Sequence, residues 1–327
     1  MRVNFVLPTL NPSGGVNVVV DYCHWLNAHG HDCYVYYPIT EKLKHYMSSD
    51  YNIEYTVPYI RSGGIRDADI TLATAWDTAN IVLDLPPVCG EKAYFIQHYE
   101  KLWMETAAYT YDYPMHQICV SEWLRRTIST LHGTKPIVVE NGVKLPGVIY
   151  KDTKDHPLRI LMPYRKEEWK GTDDGLDVFE QVHEKHPECR YQVYGWQVDK
   201  DLLPDWVEVY EGLPDESVRG LYYLTDIFLN PTRSEGFNLP SLEAMAHMCA
   251  VVTTDTGAVH EYTDNGFYAF TTNPYNIKKM TEYVTMLIED KKLRIGLQYL
   301  GYEASKQWSF ESAAERFEAC LKSLVQS

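Results

Sequence analysis

Apolar and polar positions in the first half of the chain follow a repeating order of short strands and amphipathic helices. Residues 2–7 predict a first buried strand, and apolar residues then recur at helical spacing from Val16 to Leu26. A second strand is predicted at 33–37. The order strand, loop, helix, strand is typical of the start of a doubly wound parallel sheet. Further strands are predicted at 70–74, 93–96, 117–120 and 137–139, with a helix at 122–131.

The same order restarts after a stretch at 145–157 that is rich in Pro, Gly, Lys and Asp and is the best linker candidate. The predicted fold class is therefore α/β, with two Rossmann-like, doubly wound parallel-sheet domains at 1–150 and 151–308 and a final helix at about 309–327. A cleft between two such domains is a favoured place for a ligand. Strands are predicted at 159–162, 191–194, 207–210, 226–229 and 250–253, and helices at 174–186, 242–248, 277–290 and 310–325.

Charge restricts the partners. The chain has 327 residues and a formal net charge of −15. This balance argues against a nucleic-acid partner, and less strongly against association with an anionic membrane, because phosphate groups attract Lys and Arg. A phosphate-binding site must then be a local exception built from a few cations and backbone amides.

Cysteine usage and hydropathy indicate the compartment. The seven cysteines stand in apolar surroundings without a C-x-x-C pair, and we interpret them as buried thiols in a reducing environment. No apolar run is long enough to span a membrane. Residues 1–8 lack the apolar core and cleavage site of a signal peptide. These features predict a cytoplasmic protein.

Residues 230–246 carry the densest candidate chemistry. Glu235 and Glu243 are eight positions apart, and Gly236 sets the turn after the first of them. Pro240 suits the first turn of a helix, so Glu243 is expected in that turn, where the helix dipole favours a carboxylate. The free amides at this helix end form a ready anion site. The alternative interpretation is a capped helix with two acids that face solvent.

The string resembles the motif of the retaining nucleotide-sugar glycosyltransferases of the GT-B fold, glycosyltransferase family 4. That motif reads Pro-Ser/Thr-x-x-Glu-Gly-Phe-Gly-Leu-x-x-x-Glu-Ala-Met-Ala-x-Gly-x-Pro-Val-Val. Residues 231–252 match it at most defining positions. They depart from it at Asn238 and Met248, where the family has Gly, and at Ala250, where it has Pro.

Other elements fall in the family's order. Arg165 and Lys170 follow the first strand of the second domain, and the resemblance implies that they clamp the donor diphosphate; the alternative is two solvated surface cations. Gly14 and Gly15 match the family's Gly-Gly loop, where glycine lets the backbone approach phosphate or sugar closely. The alternative interpretation is a plain loop. His98 matches its histidine-bearing loop and is implied to contact the donor sugar or position the acceptor, although a lone His is more often structural.

An aromatic-rich segment follows His98. It is interpreted either as part of the acceptor site or as a packed surface loop. Its members are Trp103, Tyr109, Tyr111 and Tyr113.

The resemblance implies transfer of a sugar, with retention and without metal or other cofactor, from a UDP, GDP, dTDP or ADP sugar to a hydroxyl of a glycan or small acceptor. This activity belongs to glycan or polysaccharide biosynthesis. The final helix is implied to pack back on the first domain. Glu235 would hold donor-sugar hydroxyls and Glu243 ribose hydroxyls. The amides of Phe237, Asn238 and Leu239 would bear on sugar or phosphate.

Two rival interpretations remain. A sugar-nucleotide epimerase uses the same fold, and a non-catalytic module would bind a nucleotide sugar or glycan without turnover. Asp67 and Asp69 have the Asp-x-Asp form of metal-dependent transferases, but their place favours an acidic strand start. The dinucleotide fingerprint of dehydrogenases is absent from the sequence.

Overall fold

The computed structural model describes residues 1–9, 13–37, 64–102, 104–147, 151 and 156–326. The chain divides into two units, one formed by residues 1–141 with 311–327 and the other by residues 142–310. The division lies before the stretch that the sequence suggested as linker. Val143 belongs to the second unit because its N–H donates to the Trp308 carbonyl at 2.8 Å and its carbonyl accepts from the Phe310 N–H at 2.9 Å.

In its described part, the first unit is built on a six-stranded parallel sheet with the order β2-β1-β3-β4-β5-β6. Helices follow β1, β3 and β5, as expected for parallel strands joined by crossovers. The strands are β1 Arg2–Val6, β2 Asp32–Tyr36, β3 Ile70–Ala73, β4 Glu91–Ile96, β5 His116–Cys119 and β6 Ile137–Val138; the helices are α1 Gly14–Ala28, α2 Trp76–Leu83 and α3 Glu122–His132.

One further helix completes the core of the first unit from far along the chain. In α10, Phe310–Val325, the buried ring of Phe317 stacks on Tyr22 with centroids 4.3 Å apart and on Phe5 at 6.0 Å. Such aromatic contacts add to the free energy of apolar burial. The inward face of β1 and α1 is therefore covered by a helix that is remote in sequence.

The described second unit also has a six-stranded parallel sheet, with the order β12-β11-β10-β7-β8-β9. The central strands β7 and β10 are neighbours, although two other strands separate them in the chain. The strand order reverses there, and such a switch point opens a crevice at the carboxyl ends of the strands. The strands are β7 Arg159–Pro163, β8 Arg190–Gly195, β9 Val207–Glu211, β10 Ile227–Asn230, β11 Ala250–Thr254 and β12 Phe270–Thr272.

Helices accompany this second sheet. They are α4 Thr172–His183, α5 Asp215–Leu224, α6 Leu239–Ala246, α7 Val259–Thr263, α8 Ile277–Glu289 and α9 Lys291–Ser305. The α/β class with two parallel-sheet domains is confirmed, and each predicted strand has a counterpart.

The sequence predicted no helix between those at 277–290 and 310–325. This prediction was wrong, because α9 lies there. Asp290 ends α8 and at once caps α9, since its carboxylate accepts from the amides of Lys292 and Leu293 at 2.9 and 3.0 Å. The helix also contains Gly296 and Gly301, which lower helix propensity. A Cβ on Gly301 would lie 3.2 Å from the Tyr268 carbonyl.

Two departures from the family motif follow α6. Met248 has a left-handed backbone with φ of 56°, a conformation that glycine adopts without steric cost. Ala250 begins β11 and its N–H donates to the Asp226 carbonyl at 2.9 Å, a bond that proline lacks. The first substitution therefore retains a strained turn, and the second adds a hydrogen bond.

The strain at Met248 is measured by replacing it with glycine and, separately, with alanine. Both changes remove the same half-buried side chain, but only glycine relieves the left-handed backbone. We expect Met248→Gly to be more stable than Met248→Ala by about 1 kcal/mol in urea unfolding. An alanine variant of equal or greater stability would contradict the strain.

Candidate active site

The loops that leave β7 and β10 meet at the switch point and bring two predicted residues into direct contact. The Lys170 Nζ donates to Glu235 Oε1 at 2.8 Å. The Lys170 side chain is 29% exposed and that of Glu235 is 12% exposed. The ion pair is therefore largely screened from water but still reachable from outside.

Backbone contacts hold these two loops together. The Trp169 carbonyl accepts from the N–H groups of Arg233 and Ser234, at 2.8 and 3.2 Å. Gly171 has φ of +67°, and a Cβ there would lie 2.2 Å from the Pro231 carbonyl oxygen. Because any side chain would collide with backbone, glycine is required where this loop packs on Pro231.

Arg233, inside the same string, was not predicted as important. Its guanidinium makes a bidentate pair with Asp174, at 2.9 and 2.8 Å, and lies 4.7 Å from the ring centroid of Tyr275. Both members of the pair are mostly buried. Arg233 thus fastens the loop to the first turn of α4, a partnership between distant residues that no local pattern indicates.

Glu235 has further support from its own loop and from the loop after β11. Thr232 Oγ1 donates to Glu235 Oε1 at 3.1 Å. Gly257 has φ of +59°, and a Cβ on it would lie 2.4 Å from the Glu235 carbonyl oxygen. The Gly257 turn therefore packs directly on the backbone of Glu235 and Gly236, which explains the glycine of that loop.

Asn238 is the centre of a buried polar cluster. It has φ of 71° and caps α6. Its Oδ1 accepts from Asn230 Nδ2 at 2.7 Å and from the Ser241 amide at 3.4 Å, and its Nδ2 donates to Thr253 Oγ1 at 3.3 Å. Asn tolerates left-handed backbone, so it replaces the family's Gly without leaving a buried polar group unpaired. Its side chain is 2% exposed and stabilises the turn that carries Phe237 and Leu239.

The predicted place of Glu243 was wrong. Helix α6 begins at Leu239, so Glu243 lies in the second turn, where the dipole argument no longer applies. Its Oε2 accepts a hydrogen bond from the Tyr222 hydroxyl at 3.1 Å. A tyrosine of α5 therefore contacts the Glu243 carboxylate directly.

Arg165 contacts two tyrosines near the end of the central strands. Its guanidinium donates to the Tyr164 carbonyl at 2.9 Å and lies 5.9 Å from the ring centroid of Tyr194. The Tyr194 and Tyr222 hydroxyls are 2.6 Å apart. The second unit therefore contains two groups of contacts. Lys170 pairs with Glu235 in the first, and Tyr194 and Tyr222 connect Arg165 to Glu243 in the second.

The predicted residues of the first unit are joined through Gln97. Ser13 caps α1 by accepting from the Val16 amide at 3.3 Å, and Gln97 Nε2 donates to the Gly15 carbonyl at 3.0 Å. The loop of His98 thereby contacts the Gly14–Gly15 segment. A Cβ on Gly14 would meet open space, so local packing does not require glycine there.

The aromatic-rich segment is a 3-10 helix at Glu105–Asp112 rather than a plain loop. Tyr111 is buried and belongs to the core, whereas Tyr109 is exposed. The Tyr113 hydroxyl donates to Asn80 Oδ1 at 2.5 Å. Trp103 lies outside the described residues.

Glu100 is a half-buried acid that sequence reasoning did not single out. It accepts from the Trp76 amide at 2.8 Å and from the Tyr94 hydroxyl at 2.5 Å. Burial raises the pKa of Glu100 to about 7, although these hydrogen bonds oppose the shift. Its carboxyl group therefore titrates near neutral pH two residues after His98.

Glu100→Gln tests this titration. The pKa of Glu100 is raised on folding from its ordinary value of 4.5 to about 7, so the native state binds more protons in that interval. The free energy of unfolding should therefore fall as the pH rises from about 5 to about 7. In the glutamine variant, the free energy of unfolding measured in urea should fall less between about pH 5 and about pH 7. An unchanged pH dependence would contradict the raised pKa.

The sequence also raised the questions of a metal site at Asp67 and Asp69, of the state of the cysteines and of a membrane span. Asp69 Oδ2 accepts from the Arg2 amide at 2.7 Å, as an acidic strand start does. Over the described ranges there is no cluster of three His, Cys, Asp or Glu side chains suited to a metal ion. All seven cysteines are buried free thiols. Among the described helices, none has the length and apolar character needed to cross a bilayer.

Known structures identify the fold. HepE of Anabaena, solved with UDP and glucose, aligns with a TM-score of 0.83 over 99% of this chain and 100% of that chain, at 15% identity. The two parallel-sheet units together with this likeness define a GT-B fold. Residues 151–304 match the family model described as glycosyl transferases group 1.

Curated relatives agree with that match but cover only part of the protein. The N,N'-diacetylbacillosaminyl-diphospho-undecaprenol alpha-1,3-N-acetylgalactosaminyltransferase of Campylobacter jejuni is 32% identical over 92 residues, 28% of this chain and 24% of the relative. The glycogen synthase of Bacillus cereus is 25% identical over 193 residues, 54% of this chain and 40% of the relative. The chain thus matches less than half the length of these relatives, and the likeness supports a glycosyltransferase.

Proposed function

We propose that the protein is a retaining, metal-independent glycosyltransferase of family 4. It moves a sugar from a nucleotide diphosphate sugar to a hydroxyl of a glycan or small acceptor, in glycan or polysaccharide biosynthesis. The observation that carries the proposal is the Lys170–Glu235 pair, 2.8 Å long, at the switch point of the unit that matches the glycosyltransferase model. The buried free thiols support a cytoplasmic location.

The cations account for the departure of the nucleotide. Breaking the bond between sugar and diphosphate concentrates negative charge on the leaving oxygens. Lys170 and Arg165, with the amides of residues 237–239 at the turn into α6, would stabilise that charge in the way that Mg²⁺ does in metal-dependent enzymes. Glu235 holds the Lys170 ammonium in place before the donor arrives, and Thr232 donates to the same carboxylate oxygen. This arrangement reduces the reorganisation needed in the transition state.

The carboxylates have binding roles in this mechanism. Glu235 is engaged with an ammonium group and a threonine hydroxyl, so it acts as a hydrogen-bond acceptor, suited to sugar hydroxyls. Glu243 would accept from the ribose hydroxyls. Retention follows from same-face attack with the leaving phosphate as base, which needs no pair of catalytic carboxylates. His98, Gly14 and Gly15 would have the roles that the resemblance implies for them, in contact with the sugar or the acceptor.

The acceptor class is proposed from the relatives' names. One relative is named as a transferase that acts on an undecaprenol-linked diphospho-sugar, and another as a glycogen synthase. The first name describes an acceptor that already carries a sugar, and the second describes synthesis of a glycan. A glycan hydroxyl is accordingly the acceptor that we favour for this chain.

Product analysis tests the activity and separates its alternatives. The protein is incubated with UDP, GDP, dTDP and ADP sugars, with and without glycan acceptors, and products are identified by mass spectrometry and NMR. We expect a new α-linked product from an α-linked donor only when acceptor is present, with or without EDTA. An altered sugar nucleotide without acceptor would indicate an epimerase. Binding without any product would indicate a non-catalytic module, and loss of activity in EDTA that Mn²⁺ restores would contradict metal independence.

Substitution of the central ion pair tests its role in turnover. Lys170→Ala and Glu235→Ala should each lower kcat/KM about a hundredfold or more, because each removes an interaction to the donor in the transition state. Lys166→Ala is the matched control, since this exposed lysine lies in the same loop. Near-normal rates for the first two variants in a folded protein would overturn the assignment.

A further inference from the structure

Two buried tyrosines form a hydrogen-bonded chain that ends on Glu243. Tyr194 lies near the carboxyl end of β8 and is 5% exposed. Tyr222 lies in α5 and is 1% exposed. The hydroxyl oxygens are 2.6 Å apart, and the Tyr222 hydroxyl lies 3.1 Å from Glu243 Oε2. The chain therefore links a strand, a helix and the second glutamate of the motif.

The chemistry of the groups sets the direction of these bonds. The Tyr222 hydroxyl donates its single hydrogen to Glu243 Oε2, because a carboxylate oxygen is an acceptor. Tyr222 then has no hydrogen left for its neighbour, and Tyr194 must donate to Tyr222. Hydrogen bonds aligned in this way polarise and strengthen one another.

The backbone of Tyr222 is fixed as firmly as its side chain. The half-buried Lys151 donates from its ammonium group to the carbonyls of Tyr222 and Tyr223, at 3.1 and 2.9 Å. Cys249 Sγ also donates to the Tyr222 carbonyl, at 3.2 Å. A cation at the last turn of a helix stabilises that turn. The tyrosine hydroxyl is therefore held at a defined point beside Glu243.

The other end of the chain lies beside the cation of the proposed diphosphate site. The Arg165 guanidinium is 5.9 Å from the ring centroid of Tyr194, within the range of cation–π attraction. Arg165 and Glu243 are the groups proposed to hold the diphosphate and the ribose of one nucleotide. The tyrosine pair thus lies between the sites for two adjacent parts of the same ligand.

We propose that Tyr222 is a positioning residue for the ribose of the donor: it orients the Glu243 carboxylate, and Tyr194 supports it. This inference rests on the proposed function. It assigns to Tyr222 a role in nucleotide affinity and in recognition of the ribose, and none in the chemical step. Removal of its hydroxyl should therefore raise the KM for the donor and leave kcat nearly unchanged.

The test uses Y222F in the full chain. The nucleoside diphosphate among UDP, GDP, dTDP and ADP that binds the wild type is titrated by calorimetry, together with its 2′,3′-dideoxy analogue. We expect Y222F to weaken nucleotide binding about tenfold, as for loss of a hydrogen bond to a charged group. The preference for the natural nucleotide over the dideoxy analogue should shrink by a similar factor, while kcat at saturating donor stays within about twofold.

Matched variants separate positioning from a structural effect. Y191F removes the hydroxyl of another buried tyrosine of β8, which donates to the His186 carbonyl at 2.9 Å, and should leave ribose preference unchanged. Y194F leaves the Tyr222 donor in place and should weaken binding less than about threefold. E243Q should lose the preference for the natural ribose as Y222F does, and the double variant Y222F/E243Q should lose little more.

The outcomes are distinguishable. A Y222F protein that keeps the wild-type preference for the natural ribose overturns the inference, whether or not its overall affinity has fallen. If Y222F does not fold, the double variant Y194F/Y222F replaces it, because removing both hydroxyls leaves neither without its partner. The measured quantity is again the preference for the natural nucleotide over the dideoxy analogue. A wild type that neither binds the nucleotides nor transfers sugar overturns the proposed function itself.

Discussion

The parallel pairing of β7 with β10 is the constraint on which the second unit's site depends. Their pairing is short, with Ile160 opposite Ile227 and Leu161 opposite Phe228, yet it brings together two loops that are remote in the chain. Because parallel strands end at the same edge of a sheet, residues after both strands must share one crevice. Gly171 and Gly257 then allow the loops to approach at backbone distance, and an ammonium and a carboxylate can meet there.

Local patterns predicted most of this architecture because buried parallel strands are short, continuous apolar runs. Periodicity did not separate two helices that follow each other without a loop. This occurs at Asp290, which ends α8 and caps α9. Helix starts were also misjudged: Glu243 was predicted in a first turn, but Asn238 and Leu239 begin the helix earlier. Such boundaries depend on cap geometry, which short-range periodicity does not describe.

The candidate site shows a similar division between what sequence motifs can and cannot predict. Lys170 and Glu235 were identified from a motif, and the structure brings them into contact. Arg233, Glu100 and Tyr222 were missed, because their importance comes from partners distant in the chain. An arginine within a loop resembles any surface cation until Asp174 is placed beside it. The departure at Asn238 was visible in the sequence, but its compensation by Asn230, Ser241 and Thr253 depends on the folded sheet.

The last helix has a consequence for the order of events during synthesis. Phe317 supplies a ring to the core formed by Phe5, Tyr22 and Phe95, but the ribosome makes it after the entire second unit. Until then the first unit carries an uncovered apolar face, which is a site for misassociation or chaperone binding. The second unit, which is continuous in sequence, can complete its core first. The N-terminal half of this protein is thus made first but can finish folding only last.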